Sequence, residues 1–404
     1  MFIRFEIDFK DRKMIIKRLK LYNWKNFQNV DINFTERNFI IGSNAAGKSN
    51  LLDALRFLRD ISKQAGGLQA AVNFRGGVKK IRCLAARKRS DVEIEIHLGE
   101  PQTDYPEWIY ALNFKHIGGG IAKSEAKVVV EKVWSKKHQA WILKRNEDNE
   151  EEDNETLKYT HLEQVTANKD FREIQSYFQK IEYLNVVPQL VREASSYNVS
   201  KNKEDYFGRN FLEKISKLNE RTRKAYFKKI NEILKIAVPQ LSELQFHKDS
   251  VGVPHLEAKY LHWRARGSKQ TEEQFSDGTL RLIGFLWALI ESSGTILLEE
   301  PEINLHSEII KQFPEFISRI QSSSRGNKQV FITTHSYDLL NNEGIGTREV
   351  FVLQNTIEGT TINTIEELEE VKAIVDSGFS VAEAAIPVTA PKNINQIVQL
   401  NLFE

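Results

Sequence analysis

The sequence predicts an α/β protein in which a mixed sheet carries a P-loop and bears an antiparallel β subdomain and a helical lobe. Three observations carry this expectation. The loop GSNAAGKSN, residues 42 to 50, lies between a strand pattern and a helix pattern. Apolar and polar residues alternate with period two from about residue 91 to about residue 160. After residue 275, apolar strands alternate with amphipathic helices, the order that builds a parallel sheet.

In chain order, residues 1–13 (MFIRFEIDFKDRK) alternate charged and apolar side chains, and two readings stand: an extension ahead of a start at Met14, or an added edge strand. Residues 14–90 read as the P-loop half of the core. Strands IIKRLKLY and RNFII lead into the glycine loop, and the following helix places Leu51, Leu52, Leu55 and Leu58 on one face. Residues 91–165 read as the antiparallel subdomain, with the acidic run EDNEEEDNE (147–155) as a hairpin tip or insertion. Residues 166–270 read as a helical lobe interrupted by IEYLNVVPQ; they lack the sustained heptads of a long coiled-coil arm. Residues 271–365 return to the sheet as the second half of the core, and 366–404 form a tail.

At 404 residues the chain exceeds what one hydrophobic core organises, so several lobes are expected. The single cysteine, Cys83, excludes an internal disulfide, and a reduced, cytosolic protein is expected. No run approaches the ~18 apolar residues of a membrane span, so a soluble protein with no membrane partner is expected. A net charge of +2 does not argue for nucleic acid by itself. Two local clusters remain candidates for DNA phosphates or for solvated faces: Lys79, Lys80, Arg82, Arg87, Lys88 and Arg89, and Arg221, Arg223, Lys224, Lys228 and Lys229.

Four segments carry chemistry. Gly42, Ser43, Asn44, Ala45, Ala46, Gly47, Lys48 and Ser49 fit a phosphate cradle that Asn50 extends: backbone N–H groups face the phosphates, Lys48 adds a charge, and Ser49 offers a hydroxyl to Mg²⁺. In TILLEEPE, an apolar strand delivers Glu299 and Glu300 to the C-terminal edge of a parallel sheet. There Glu299 can hold Mg²⁺ or its water, and Glu300 can act as general base. In FSDGTLR, Ser276, Asp277 and Gly278 open a helix with a cap, a hydroxyl and room for close approach, a second anion site that suits another molecule's nucleotide. In QVFITTHS, a buried strand ends at His335, placed to sense a γ-phosphate. Each segment alone has an ordinary structural reading; their order and spacing favour a common site.

In that order the four segments resemble the ABC ATPases, and within them the soluble RecF, SMC and OLD-like group. FSDGTLR is similar to that group's signature motif, LLEEPEINLH to its Walker B and D-loop, and TTHS to its His switch. The opening IKRLKLYNWKNFQNVDINF resembles its first strand, where a basic residue, here Lys25, lies near the nucleotide. The resemblance spans almost the whole chain, including EGTTI near the end, and is strongest to small bacterial ATPases encoded beside nuclease genes in anti-phage loci. It implies an ABC ATPase head binding ATP and Mg²⁺, with composite sites formed by a head-to-tail homodimer.

Three departures stand out. Ala45 replaces a common glycine, which suits a loop that keeps φ negative there. Glu299 replaces the usual aspartate, which makes direct metal ligation less direct than proximity to the metal. The glutamine loop has no clear match beyond the candidate Gln189.

Three functions compete. The first is a regulatory ATPase that licenses a separate, nuclease-like effector on DNA or RNA, because no Asp-x-Asp pair for a nuclease site follows His335. The second is a RecF-like factor whose closed dimer clamps DNA. The third, a transporter subunit, is disfavoured by the SDGT signature and the long insertion before it. Gln399, Leu400, Leu402 and Phe403 in the tail resemble the peptide that docks into the bacterial sliding clamp, or else pack on the head as a last strand or turn.

Overall fold

The computed structural model describes residues 13–64, 66–87, 89–118, 125–149, 153–193, 208–262, 268–323 and 328–391. Residues 1–12 and the tail residues Gln399, Leu400, Leu402 and Phe403 lie outside them, as does Lys88.

Two six-stranded sheets dominate. The first is mixed, in the spatial order Gly359–Thr364, Val350–Thr356, Arg37–Gly42, Val330–Thr333, Ile296–Glu299 and Glu182–Leu184. Every neighbouring pair in it is parallel except the terminal hairpin of Val350–Thr356 with Gly359–Thr364. The strands Arg37–Gly42, Ile296–Glu299 and Val330–Thr333 are almost wholly apolar because both faces are covered. Ile40 and Leu297 pack on one side of this sheet, and Phe39, Ile41, Ile296 and Leu298 pack on the other.

The second sheet is antiparallel, in the order Phe27–Asn33, Ile15–Trp24, Val92–Gly99, Trp108–Ile117, Glu125–Ser135 and Ala140–Asn146. The four strands read from period-two alternation are present, but the sheet continues into the first two strands of the chain. A boundary at residue 91 therefore cuts through one sheet. Phe27–Asn33 escapes a sequence reading because FQNVDIN buries only Phe27, Val30 and Ile32 and fills its other face with polar residues of low strand preference.

The helix Lys48–Ile61 lies in the core shared by the two sheets, with Leu51, Leu52, Leu55 and Leu58 buried as their spacing requires. Phe57 packs against Trp24 and Phe114 with ring centroids 5.2 and 5.4 Å away. On the far side of the mixed sheet, Asp277–Glu291 carries the second core, and Phe285 stacks on Phe313 at 4.1 Å.

The 166–270 span departs from a helical lobe interrupted by one strand-like segment: Glu182–Leu184 is that strand, and three more follow. Arg172–Gln179, Phe211–Lys217 and Glu220–Ala237 are helices, but Leu241–Lys248, Pro254–Tyr260 and Ser268–Thr271 form a three-stranded antiparallel sheet. Its strands are half exposed and rich in Glu, Lys and His, so charge hides their alternation. Among the described residues no helix is long and apolar enough to cross a membrane.

Candidate functional site

The P-loop strand Arg37–Gly42 sits between Val330–Thr333 and Val350–Thr356, so its loop opens at the C-terminal edge of the parallel strands. A side chain at Gly42 would collide with the Leu353 carbonyl, and one at Gly47 with Asn26. Gly47 is the N-cap of Lys48–Ile61 at φ 97, and no side chain caps that helix start. Its first N–H groups are therefore open to an anion.

Ala45 adopts φ 62, in the left-handed region, which corrects the expectation of a negative angle there. Packing of the turn against Asn26, not the residue's own preference, fixes that backbone. Asn26 donates to the Ala46 carbonyl at 2.9 Å and to Thr360 Oγ1 at 2.7 Å, and accepts from Asn50 at 2.7 Å. The EGTTI segment thus buttresses the P-loop from behind. Seven non-glycine residues among the described ones have positive φ, and four of them, Lys25, Ala45, Glu300 and Asn304, lie in the motifs of this site. Backbone strain of this kind concentrates where function demands it.

Lys48 donates to the carbonyls of Gly42 at 3.1 Å and Ser43 at 3.4 Å, and its ammonium also donates to His335 Nε2. Burial lowers the Lys48 pKa, against the pull of Glu300, Glu299 and Glu302. Burial, then the Lys48 charge, lowers that of His335, which keeps the imidazole neutral and able to accept.

Ser49 Oγ donates to Glu299, and so does the Tyr183 hydroxyl. Arg56 lies over the Tyr183 ring at 4.5 Å. Hydroxyl and carboxylate thus converge where a divalent cation bound to a nucleotide would sit. A magnesium site built from one carboxylate and one hydroxyl, completed by water and phosphate, fits this donor set. No group of three or more His, Cys, Asp or Glu placed to hold a metal occurs among the described residues.

Glu300, at φ 42, turns off its strand with its N–H on the Thr333 carbonyl at 3.0 Å. Its carboxylate lies 3.6 Å from His335 Nε2. The acid, the histidine and the P-loop lysine therefore face one space.

Ser276 caps Asp277–Glu291, accepting from the Thr279 N–H at 3.2 Å. Asp277 accepts from Arg192 at 2.6 Å and from Gln189 at 3.3 Å. Gln189 is thus tied to the signature helix. A side chain at Gly278 would strike the Asn304 carbonyl, so the turn after the acidic strand rests on this helix start. No hydrogen bond or ion pair among the described residues joins Ser276, Asp277 or Gly278 to residues 42–50 of the same chain.

Lys25 pairs with Asp53 at 2.7 Å, one turn beyond Ser49. Burial would raise Asp53, but Arg75 and Lys25 hold it below its usual value. Beside them opens a groove of about 930 Å³, lined by Lys25, Asn26, Asn50, Lys79, Lys80, Arg82 and the exposed Leu84 and Ile357. Lys79, Lys80 and Arg82 have no ion-pair partner among the described residues. In the second basic cluster, Lys224 pairs with Glu220, and Arg223 stacks on Phe246 and meets the Ser216 and Leu218 carbonyls.

Asn26 and Tyr183 escaped the sequence reading. Each lies within a few residues of a recognised motif, but its role depends on partners distant in sequence.

Against this geometry, residues 37–341 match the family described as "AAA domain, putative AbiEii toxin, Type IV TA system". The chain belongs to this family. Residues 37–341 are thus an AAA-type ATPase domain. An ATP/GTP phosphatase of Helicobacter pylori is 24% identical over 350 residues, covering 81% of this chain and 86% of that protein. The DNA replication and repair protein RecF of Agathobacter rectalis is 36% identical over 88 residues, and that of Bacteroides fragilis 43% over 63 residues. The matches cover only 24% and 17% of those RecF proteins. Among solved structures, an SMC head bound to the C-terminal winged-helix domain of ScpA superposes with a TM-score of 0.53 at 15% identity, covering 87% of this chain and 99% of that one. It is an SMC-head-like α/β fold.

Proposed function

We propose that this ATPase acts as a switch: two copies close head to tail around ATP, hydrolyse it, and open again. The observation that carries the reading is the convergence of Lys48, Ser49, Glu299, Glu300 and His335 at one sheet edge, with a capped helix start that no polar contact among the described residues joins to it. That second anion-seeking terminus is available for a partner's nucleotide.

In this reading the backbone of Gly42–Gly47 and the Lys48 ammonium bind the β- and γ-phosphates. The groove beside Asn50 takes sugar and base, with Lys25 near the α-phosphate. Ser49 and Glu299 would hold Mg²⁺, which supplies charge neutralisation on the phosphate oxygens. Glu300 accepts a proton from the attacking water, and His335 reports the γ-phosphate through the hydrogen bond that it now shares with Lys48.

The cycle would license a separate effector acting on DNA or RNA in anti-phage defence; the family description itself names a putative toxin of a type IV TA system. A second reading, in which the closed dimer clamps DNA itself, is favoured by Lys79, Lys80 and Arg82, which have no ion-pair partner among the described residues, and by the partial RecF similarity. Light scattering of the Glu300→Gln protein tests the switch: ATP should convert it to a stable dimer, and a monomer at saturating ATP would refute the reading.

A further inference from the structure

Glu302 has no part in the chemistry above, yet it is one of the most enclosed acids of the protein, 7% exposed. One carboxylate oxygen accepts from the Thr334 hydroxyl, and the His335 backbone N–H also points to this carboxyl. The other oxygen, Oε2, is buried with no hydrogen-bond partner. A buried ionised carboxylate with an unused oxygen is costly, and protonation lowers that cost without removing it, because a carboxyl O–H there would still lack a partner.

The surroundings are shared with the site. Thr334 lies between its own N–H bond to the Ile40 carbonyl at 3.0 Å and the Ser336 N–H, which donates to its hydroxyl at 2.9 Å. Ser336 caps the turn Tyr337–Leu340. The P-loop strand and the following helix start are thus gathered on one residue, Thr334, which directly precedes His335, and Glu302 is what its hydroxyl donates to. Two residues beyond Glu302, the Asn304 carbonyl rests on Gly278.

We infer that Glu302 is the positioning residue that fixes His335 relative to the turn between the acidic strand and the signature helix. This inference rests on the switch reading, because it assigns His335 and Gly278 to the two nucleotide-facing ends of one chain. Burial pushes the Glu302 carboxyl up to about 7, and the Glu300 charge adds to that rise. The other charged groups around it are Lys48 on the P-loop helix, His335 on its strand end and Arg281 on the signature helix. Ionised Glu302 would add a third negative charge beside Glu299 and Glu300 and compete for Lys48.

The test uses full-length Glu302→Gln, Glu302→Ala and Thr334→Val. Glutamine copies the neutral acid in shape; alanine and valine remove one side of the contact. The alanine and valine proteins should lose about tenfold in kcat with KM for ATP within about twofold, the pattern for a group that acts after binding. Glu302→Gln should keep kcat within about threefold of wild type near pH 7, and it should lack the fall in kcat expected of wild type as pH rises above Glu302's ionisation. Full activity of Glu302→Ala would overturn the inference. So would a Glu302→Gln protein that is as impaired as Glu302→Ala with an unchanged pH profile. Lys48→Ala and Glu300→Gln serve as controls: if they hydrolyse ATP normally, the switch reading fails; if they fail as expected while Glu302→Ala is normal, only this inference fails.

Discussion

The Lys48 ammonium donates to His335 Nε2 although the two residues are 287 positions apart in the chain. The contact joins the P-loop to the end of a neighbouring strand, the two places from which a γ-phosphate would be held. Lys48 is otherwise seated on the Gly42 and Ser43 carbonyls, so an incoming phosphate oxygen replaces the imidazole without moving the backbone. Lys48→Ala should therefore abolish nucleotide binding, measured as loss of a fluorescent ATP analogue's anisotropy, while leaving the fold intact by circular dichroism.

Glu300 is the acid that faces His335, whereas Glu299 is engaged by Ser49 and Tyr183. Glu300→Gln should retain ATP binding and lower turnover by ~10² to 10⁴, the range for loss of a positioned general base. Phosphate release at the wild-type rate would move the base elsewhere.

Ala45 sits at φ 62 in an exposed turn. An L-residue in the left-handed region costs about 1 kcal/mol, and glycine does not pay this in sterics. Ala45→Gly should leave thermal stability unchanged or raise it by up to about 1 kcal/mol, and Ala45→Val should lower it by more than that. Differential scanning calorimetry distinguishes the two.

Two acids, the buried Glu302 and the half-buried Glu182, are each pushed up to about 7, chiefly by burial. Between their unfolded values near 4.5 and about 7, the folded chain binds more protons than the unfolded chain, so stability falls as pH rises through that window. Each contributes at most about 3 kcal/mol to the fall. Urea midpoints should drop from pH 5 to pH 8, and Glu182→Gln with Glu302→Gln should flatten that drop.

Lys79, Lys80 and Arg82 line the groove without ion-pair partners among the described residues. If nucleic acid binds there, replacing all three with alanine should weaken it for every sequence and reduce the salt slope by roughly two to three. Fluorescence titrations at several salt concentrations check this, and an unchanged slope would remove the groove as a phosphate contact.

The candidate motifs were legible because each pairs a local chain geometry with a chemical residue type. The glycine loop lies between strand and helix, and two acids follow four apolar residues. The residues that hold these groups in place were not legible. Asn26 matters through Ala46, Asn50 and Thr360, and Tyr183 through Glu299, contacts that only the folded sheet order creates. The Leu241–Thr271 sheet was hidden because its strands face water on one side and carry charges there. The φ of Ala45 was misjudged because packing of the turn on Asn26 overrides the residue's own preference.

The central claim is that each ATP site is completed by the signature helix of the other copy, and mixing two inactive variants tests it most directly. Ser276→Arg blocks the helix start presented to the partner, and Glu300→Gln removes the base beside the chain's own P-loop. Mixed before ATP is added, random assortment makes about half of the dimers heterodimers, each with one intact and one doubly impaired site. The account predicts recovery of roughly a quarter of wild-type phosphate release from two proteins that are each inactive alone. No recovery above the sum of the two separate proteins, with heterodimers shown to form, would mean that the site is completed within one chain and would contradict the account.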